Sequence, residues 1–118
     1  MKKTLYRLRK NREFQQVFKK GHKIPGRYTL LFYRRNKKSY NRFGFTVSRK
    51  VGKSVRRNRI KRLCFEVLRH MEQDMLKGYD FVVVARRRAA EMDYHSAQKD
   101  LKKILDRAQM WESKEKED

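Results

Sequence analysis

Eight basic side chains fall within fourteen residues near the middle of this 118-residue chain. The stretch reads RKVGKSVRRNRIKR, covers positions 49–62 and contains no acidic residue. Guanidinium and ammonium groups bind phosphate, and a guanidinium can do so through two parallel hydrogen bonds. An ordinary charged helix face would carry acidic partners at four-residue spacing. The stretch therefore predicts a surface for a polyanion such as nucleic acid, rather than a merely solvated face.

The positive charge is concentrated in the first half of the chain. Residues 1–65 hold 23 lysines and arginines and one acid, Glu13, for +22, whereas residues 66–118 hold 11 basic and 12 acidic residues, for −1; together they give the net charge of +21. Such a field attracts a polyanion over long range and gains affinity by releasing its counterions. We therefore expect the binding surface to be built mainly from residues 1–65.

Aromatic residues form a second group that could bind nucleic acid. Phe14 and Phe18 lie one turn apart in a predicted helix over 11–20. With a strand aromatic such as Phe32 or Tyr33, they could form a stacking platform for unpaired bases. On the pattern alone, a place in the hydrophobic core is the more frequent outcome for two such phenylalanines.

Catalytic chemistry has little support in the sequence. His22, His70 and His95 could serve a ribonuclease as general base and acid, but their wide spacing does not indicate convergent geometry. The single cysteine, Cys64, excludes an internal disulfide and has no Cys or His nearby at metal-ligand spacing. Because the basic half holds one carboxylate, a two-metal site is not expected there. We predict no catalytic and no metal-binding residue, so any chemistry should belong to a partner.

The elements that position these residues are predicted to form one small α+β domain, an α/β sandwich of order α-β-β-(β)-α-β-α. Residues 1–111 make up the domain, its first ten residues are irregular, and the charged tail 112–118 is expected to fray. The predicted elements are a helix capped by Asn11 and ended by Gly21, strands over 28–35 and 42–49 joined as a hairpin, a helix from Ser54 to about Lys77, a strand over 79–85, and a helix capped by Asp93.

Apolar periodicity predicts which faces are buried. In the strand over 42–49, alternate residues from Phe43 form a core face, and the alternate set from Gly44 forms a small, polar face open to a ligand. The strand over 79–85 is apolar almost throughout, which is typical of a strand covered on both faces and parallel to a neighbour. The stripe of the long helix consists of Ile60, Leu63, Cys64, Val67, Leu68, Met71 and Met75. Phe65 lies outside that stripe and is predicted to be exposed beside Asn58 and Arg62.

Membrane and export signals are not evident in the sequence. No stretch approaches the roughly 18 to 20 apolar residues of a membrane span, and the start MKKTLYRLRK lacks the apolar centre of a signal peptide. We therefore predict a cytoplasmic protein without a membrane partner.

The motif RNRIKR at 57–62, preceded by FTVSRKVG at 45–52, resembles the signature of the protein subunit of bacterial ribonuclease P. The similarity extends over nearly the whole chain. It includes LRKN at 8–11, FQQVFKKG at 14–21, which resembles the family's first helix, and YDFVVVAR at 79–86, which resembles its last strand.

This resemblance implies a ribonucleoprotein in which the RNA subunit, holding most of the Mg²⁺, removes the 5′ leader from precursor tRNA. The implied partners are ribonuclease P RNA and that leader, with no small-molecule substrate, and a βαβ crossover should surround the signature helix. Carried over by position, the residues facing the RNA subunit are Ser48, Arg49, Lys50, Lys53, Arg56, Arg57, Asn58, Arg59, Lys61, Arg62 and Phe65. The implied leader cleft is lined by Phe14, Phe18 and Phe32.

One position departs from the family pattern. Phe65 stands where the family commonly carries another arginine, so we hypothesise that a phosphate contact is lost and that the ring stacks on an RNA base or covers an apolar patch. The segment 86–88, three arginines, is more basic than the resemblance implies, and the sequence assigns it no role.

A ribosomal or other structural RNA-binding protein is the main alternative, since it would explain the charge equally well. It does not explain the signature together with the aromatic first helix. A DNA-binding domain is disfavoured because the sequence shows no helix-turn-helix spacing, zinc ligands or dimerisation heptads.

Overall fold

The structure, a computed structural model, describes residues 4–113. Within them, one five-stranded sheet of order β1-β4-β5-β3-β2 carries helices on both faces. The elements are β1 (Tyr6–Arg7), α1 (Asn11–Lys20), β2 (His22–Pro25), β3 (Thr29–Arg35), β4 (Arg42–Val47), α2 (Ser54–Met71), β5 (Tyr79–Ala85) and α3 (Tyr94–Arg107), with 3₁₀ turns at Arg49–Val51, Glu72–Asp74 and Arg87–Glu91. The predicted α+β class is confirmed, as is the βαβ crossover, because α2 connects the parallel neighbours β4 and β5.

The two faces of the sheet pack against different helices. The main core lies between one face and helices α2 and α3, and it contains Phe43 of β4 and Phe81 of β5, stacked with ring centroids 5.0 Å apart. The predicted stripe of α2 is confirmed at its centre, where Ile60, Cys64, Val67 and Leu68 are buried. A smaller cluster under α1 occupies the opposite face. The helix that carries Phe14 and Phe18 is thus separated from the main core by the whole sheet.

The predicted hairpin between the strands over 28–35 and 42–49 is wrong. Strand β5 lies between them, antiparallel to β3 and parallel to β4. The reason is that β5 is the most apolar strand, and the centre of the sheet is where both of its faces are covered. The connection 36–41 crosses two strand spacings of about 4.8 Å each, which six residues reach easily.

Several predicted boundaries move by a few residues. The N-cap of α1 is Lys10 rather than Asn11, and that of α2 is Lys53 rather than Ser54, whereas Asp93 caps α3 as predicted. Helix α2 ends at Met71 instead of near Lys77.

The end of α2 was misplaced because buried Met75 continues the helical spacing of apolar residues. The structure buries Met75 differently, through an antiparallel bridge to Trp111. After that bridge, the amide of Glu112 donates to the carbonyl of Asp74 at 2.9 Å. The predicted fraying of the tail falls largely on residues 114–118, which lie outside the described residues.

The first ten residues are not entirely irregular, as they were predicted to be. Tyr6 and Arg7 of β1 pair in parallel with Arg42 and Phe43 of β4. Residues 8–10 then lead into α1. Among the described residues, no helix is both long enough and apolar enough to cross a membrane.

Candidate nucleic-acid interface

Helix α1 is held against the sheet by side chains on one of its sides, which bond to two strands. Arg42 of β4 donates to Glu13 at 3.0 Å, and Arg34 of β3 donates to Gln16 at 3.2 Å. Glu13 also accepts the backbone amides of Arg9 and Lys10 at 2.8 and 2.9 Å, closing the first turn. These amide bonds, with the charge and hydrogen bond of Arg42, lower the pKa of Glu13. The carboxylate, ionised at neutral pH in any case, therefore keeps its charge and its hold on α1 into more acidic pH.

The opposite side of α1 carries Phe14 and Phe18. Phe18 meets Phe32 edge-to-face, with ring centroids 4.9 Å apart, and Phe14 lies over Gly44 of β4. A methyl group at Gly44 would come within 2.5 Å of the Phe14 ring, so glycine is required for this close approach. Both rings remain half-buried, whereas Val17 between them is fully buried. The two phenylalanines thus pack against the small cluster and do not belong to the main core.

The sheet beside these rings is left open. Register places Leu30, Val84 and Thr46 side by side on the face that α1 covers, one row beyond Phe32, Val82 and Gly44. In the row under α1, Val82 and Gly44 are buried; the next row is half-buried throughout. We call the space bounded by Phe14, Phe18, Phe32 and this open row the aromatic cleft. Its floor is apolar with one hydroxyl, and its wall offers ring faces and edges, which suits unpaired bases.

Strand β4 leads from the aromatic cleft into a basic turn. After Val47 the chain enters the 3₁₀ turn Arg49–Val51, in which Ser48 accepts the amide of Lys50 at 3.1 Å. Gly52 follows with a φ of 152°, a conformation that favours glycine. The exposed residues here include Ser48, Arg49, Lys50, Lys53 and Arg56. All five come from the predicted set, and four of them are positively charged, so the end of β4 is basic.

The signature helix divides its polar residues between two sides. Asn58, Lys61 and Arg62 face a groove of about 590 Å³ at the edge of β4, and residues from both faces of the sheet line it. We call it the edge groove, and its full lining is Arg7, Leu8, Phe14, Phe43, Gly44, Phe45, Asn58, Lys61, Arg62, Phe65 and Glu66. The groove forms because β1 covers one edge of β4 for two residues only. Within residues 4–113, the rest of β4 pairs with β5 on its other edge. Phe14 belongs to both the edge groove and the aromatic cleft.

Two signature arginines have structural surroundings that the sequence did not predict. Arg59 donates to the carbonyl of Met92 at 3.0 Å, which ties α2 to the turn before α3, on the side away from the edge groove. Arg57 is half-buried, and within the described residues its Nε atom is buried without a hydrogen-bond partner. The signature is thus a structural element as well as a charged surface.

Phe65 is half-buried rather than exposed as predicted. Its ring lies against Phe45, with centroids 6.2 Å apart, and the guanidinium carbon of Arg7 stands 4.4 Å from the ring centroid. The prediction failed because it considered α2 alone. Strand β4 brings Phe45 to the flank of the helix, and β1 brings Arg7.

The candidate site residues missed from the sequence are arginines in short segments. Arg7 lay in a segment predicted to be irregular. Arg86, Arg87 and Arg88 are exposed, and their turn, Arg87–Glu91, packs against the turn Arg49–Val51. These arginines therefore extend the basic surface at the end of β4. In the sequence, the only indication of a role for Arg86, Arg87 and Arg88 was that the segment is more basic than the family resemblance implies.

Two of the three histidines share a groove, and the third lies on the sheet. His22 lies in β2 against Tyr33, with ring centroids 5.2 Å apart. His70 and His95 both line a groove of about 880 Å³ between α2, α3 and Trp111. Burial raises the pKa of the Cys64 thiol to about 12, so it stays protonated and is not a nucleophile at neutral pH.

Comparisons with known proteins agree with this architecture. The family model described as Ribonuclease P matches residues 1–109. A ribonuclease P protein component from Caldanaerobacter subterraneus is 39% identical over 116 residues, 98% of this chain and 100% of that protein. The corresponding protein of Natranaerobius thermophilus is 42% identical, over 87% of this chain and 90% of the relative.

Solved structures give the same result. The RNase P protein of Staphylococcus aureus matches with a TM-score of 0.84 and 34% identity, covering 92% of this chain and 100% of that one. The protein of Thermotoga maritima matches with a TM-score of 0.79 and 35% identity, covering 86% and 96%. The chain belongs to the bacterial ribonuclease P protein family and is an accessory subunit of that RNA-based, tRNA-processing endoribonuclease.

Proposed function

We propose that this subunit binds ribonuclease P RNA through α2 and the basic turn before it, and holds the 5′ leader of precursor tRNA in the aromatic cleft. The observation that carries the leader assignment is the open row Leu30, Val84 and Thr46 beside the rings of Phe14 and Phe18. A helix whose apolar side serves packing alone would cover that row. Here the row stays half-buried and leads into a basic turn.

The RNA subunit is proposed to contact the exposed side chains at the end of β4 and along α2. Asn58, Lys61 and Arg62 contribute through the edge groove, and Phe65 contributes the platform for Arg7. Arg59 has a mainly structural role, given its bond to Met92. The remaining proposed contacts are Ser48, Arg49, Lys50, Lys53, Arg56 and Arg57.

Mg²⁺ is proposed to be held mainly by the RNA subunit, where it would supply the activated water for hydrolysis. The residues between positions 4 and 113 do not fit a protein-held ion. Among those described, no group of three or more histidines, cysteines or carboxylates could hold a metal. We therefore assign the protein binding and orientation of the RNA strands. We propose the cytoplasm as its site of action because precursor tRNA is its proposed substrate.

Replacing Phe18 with leucine tests the aromatic cleft. Leucine keeps an apolar contact with Phe32 but removes the ring, and loss of one base stack costs about 1–3 kcal/mol. We expect kcat/KM for a precursor with a five-nucleotide leader to fall roughly tenfold. For a precursor with a one-nucleotide leader, whose base does not reach the cleft, the change should stay below about twofold.

The control for this experiment is Tyr6→Leu, because Tyr6 is 60% exposed on β1 and lies outside the cleft. It should leave both substrates unaffected. Thermal unfolding of both variants separates lost stacking from lost folding. An equal loss on the two leaders in the Phe18 variant would contradict the leader assignment.

A further inference from the structure

We propose that Arg7 of β1 binds an RNA phosphate at the edge groove and that Phe65 of α2 is its platform. The proposal rests on the proposed function and adds to the RNA-binding surface a residue outside the signature motif. The phosphate could come from the RNA subunit or from the precursor tRNA, and the experiment below distinguishes the two.

Backbone pairing fixes where the Arg7 side chain goes. Arg7 is the parallel partner of Phe43, so its side chain leaves the sheet on the face that carries Phe43 and Phe45. That is the face against which α2 packs. The guanidinium carbon lies 4.4 Å from the Phe65 centroid and 5.7 Å from the Phe45 centroid.

Contact with two rings prepares Arg7 to bind an anion. An arginine side chain in solution samples many rotamers, whereas here the rings limit where the guanidinium can lie. A guanidinium that stacks on an aromatic ring contacts the ring through the flat face of the guanidinium. The N–H donors at the edge of the guanidinium plane remain able to bind phosphate. Arg7 as a whole remains exposed, so a ligand can reach it.

The surroundings of Arg7 suit a phosphate of RNA. Asn58, Lys61 and Arg62 line the same groove and offer two further cations and an amide. Glu66 also lines it, but its carboxylate is 2.8 Å from a guanidinium nitrogen of Arg69, so its charge is balanced from outside the groove. Phe65, which lies outside the apolar stripe of α2, therefore has a proposed role in RNA binding. It carries no charge of its own and instead positions the guanidinium of Arg7 from strand β1.

Arg7→Gln tests the proposal, with Arg12→Gln as the matched control. Both changes remove one exposed charge near the N-terminus, but Arg12 lies on α1 and not in the edge groove. A hydrogen bond to a charged group accounts for about tenfold in affinity, and each phosphate contact contributes about 0.7 to 0.9 to the slope of log K against log salt. Arg7→Gln should therefore weaken RNA binding about tenfold and reduce the slope by nearly one. Arg12→Gln should change affinity less than about threefold.

Two measurements locate the phosphate. Direct binding of the protein to ribonuclease P RNA reports a phosphate of the RNA subunit, and binding of precursor tRNA by the assembled holoenzyme reports a phosphate of the substrate. A selective loss in either one supports the proposal and assigns the source. Arg7→Lys, which keeps the charge, should recover part of the lost affinity. In a Phe65→Leu background, Arg7→Gln should cost less than in the wild type, because the platform is gone.

Equal losses and equal slopes for Arg7→Gln and Arg12→Gln in both measurements would overturn the proposal, while tight binding by the wild type would leave the proposed function intact. Failure of the wild-type protein to bind ribonuclease P RNA would instead refute the proposed function and, with it, this inference. Thermal unfolding of each variant confirms that affinities are compared between folded proteins.

Discussion

Replacing Lys61 and Arg62 together with glutamine should weaken binding to ribonuclease P RNA by on the order of 100-fold or more. Each hydrogen bond to a charged group contributes about 1.5–3 kcal/mol, and both side chains reach the edge groove from an exposed side of α2. The slope of log K against log salt should also fall, by about 0.7 to 0.9 per lost phosphate. Affinity measured between roughly 50 and 200 mM salt supplies both quantities.

The matched control for that variant is Lys99→Gln with Lys103→Gln. These two exposed lysines lie on α3, outside the edge groove, and their replacement changes the net charge by the same amount. If the two double variants lose affinity equally, the net field of the protein governs binding and the edge groove has no special part in it. A much larger loss for the signature pair is the result that the structure predicts.

Asp80→Asn should lower the free energy of unfolding by about 3–5 kcal/mol, the cost of breaking a buried ion pair by removing one partner. Asp80 is 6% exposed and accepts two bonds from Arg42, at 2.9 and 2.8 Å, and a third from Asn36 at 2.9 Å. The substitution leaves the Arg42 guanidinium without its main partner. Denaturant unfolding with urea measures the change directly.

The same change should also affect the aromatic cleft. Arg42 links Asp80 to Glu13, so a displaced Arg42 loosens the attachment of α1 to the sheet and with it the position of Phe14. Asp74→Asn, at an exposed aspartate in a turn, is the control and should leave the unfolding midpoint nearly unchanged. If Asp80→Asn proved equally harmless, the ion-pair network could not be what positions α1.

Patterns confined to one element predicted the fold well. The apolar run 79–85 indicated a strand buried on both faces, and β5 lies at the centre of the sheet. The spacing of Phe14 and Phe18 indicated that both rings lie on one side of a short helix, as they do in α1. That spacing alone favoured a core position, whereas both rings are half-buried against the small cluster. The local period thus predicts which residues share a face, and the strands packed against that face decide how deeply they are buried.

Features that depend on strand order could not be predicted in the same way. The two apolar strands before α2 looked like a hairpin because nothing local shows that a later strand inserts between them. Met75 looked like the end of a helix because its spacing fits α2, although a bridge to Trp111 buries it. The contact of Arg7 with Phe65 joins residues 58 positions apart through β1 and β4, so neither residue alone predicts it.

Cleavage of a precursor tRNA at low Mg²⁺ tests the central claim most directly. The reaction is run with a bacterial ribonuclease P RNA alone, with this protein alone, and with the two together. We predict removal of the 5′ leader in the mixture alone, because the RNA carries the chemistry and the protein supplies binding and orientation. Tight RNA binding without stimulation of cleavage, or cleavage by the protein alone, would contradict this account.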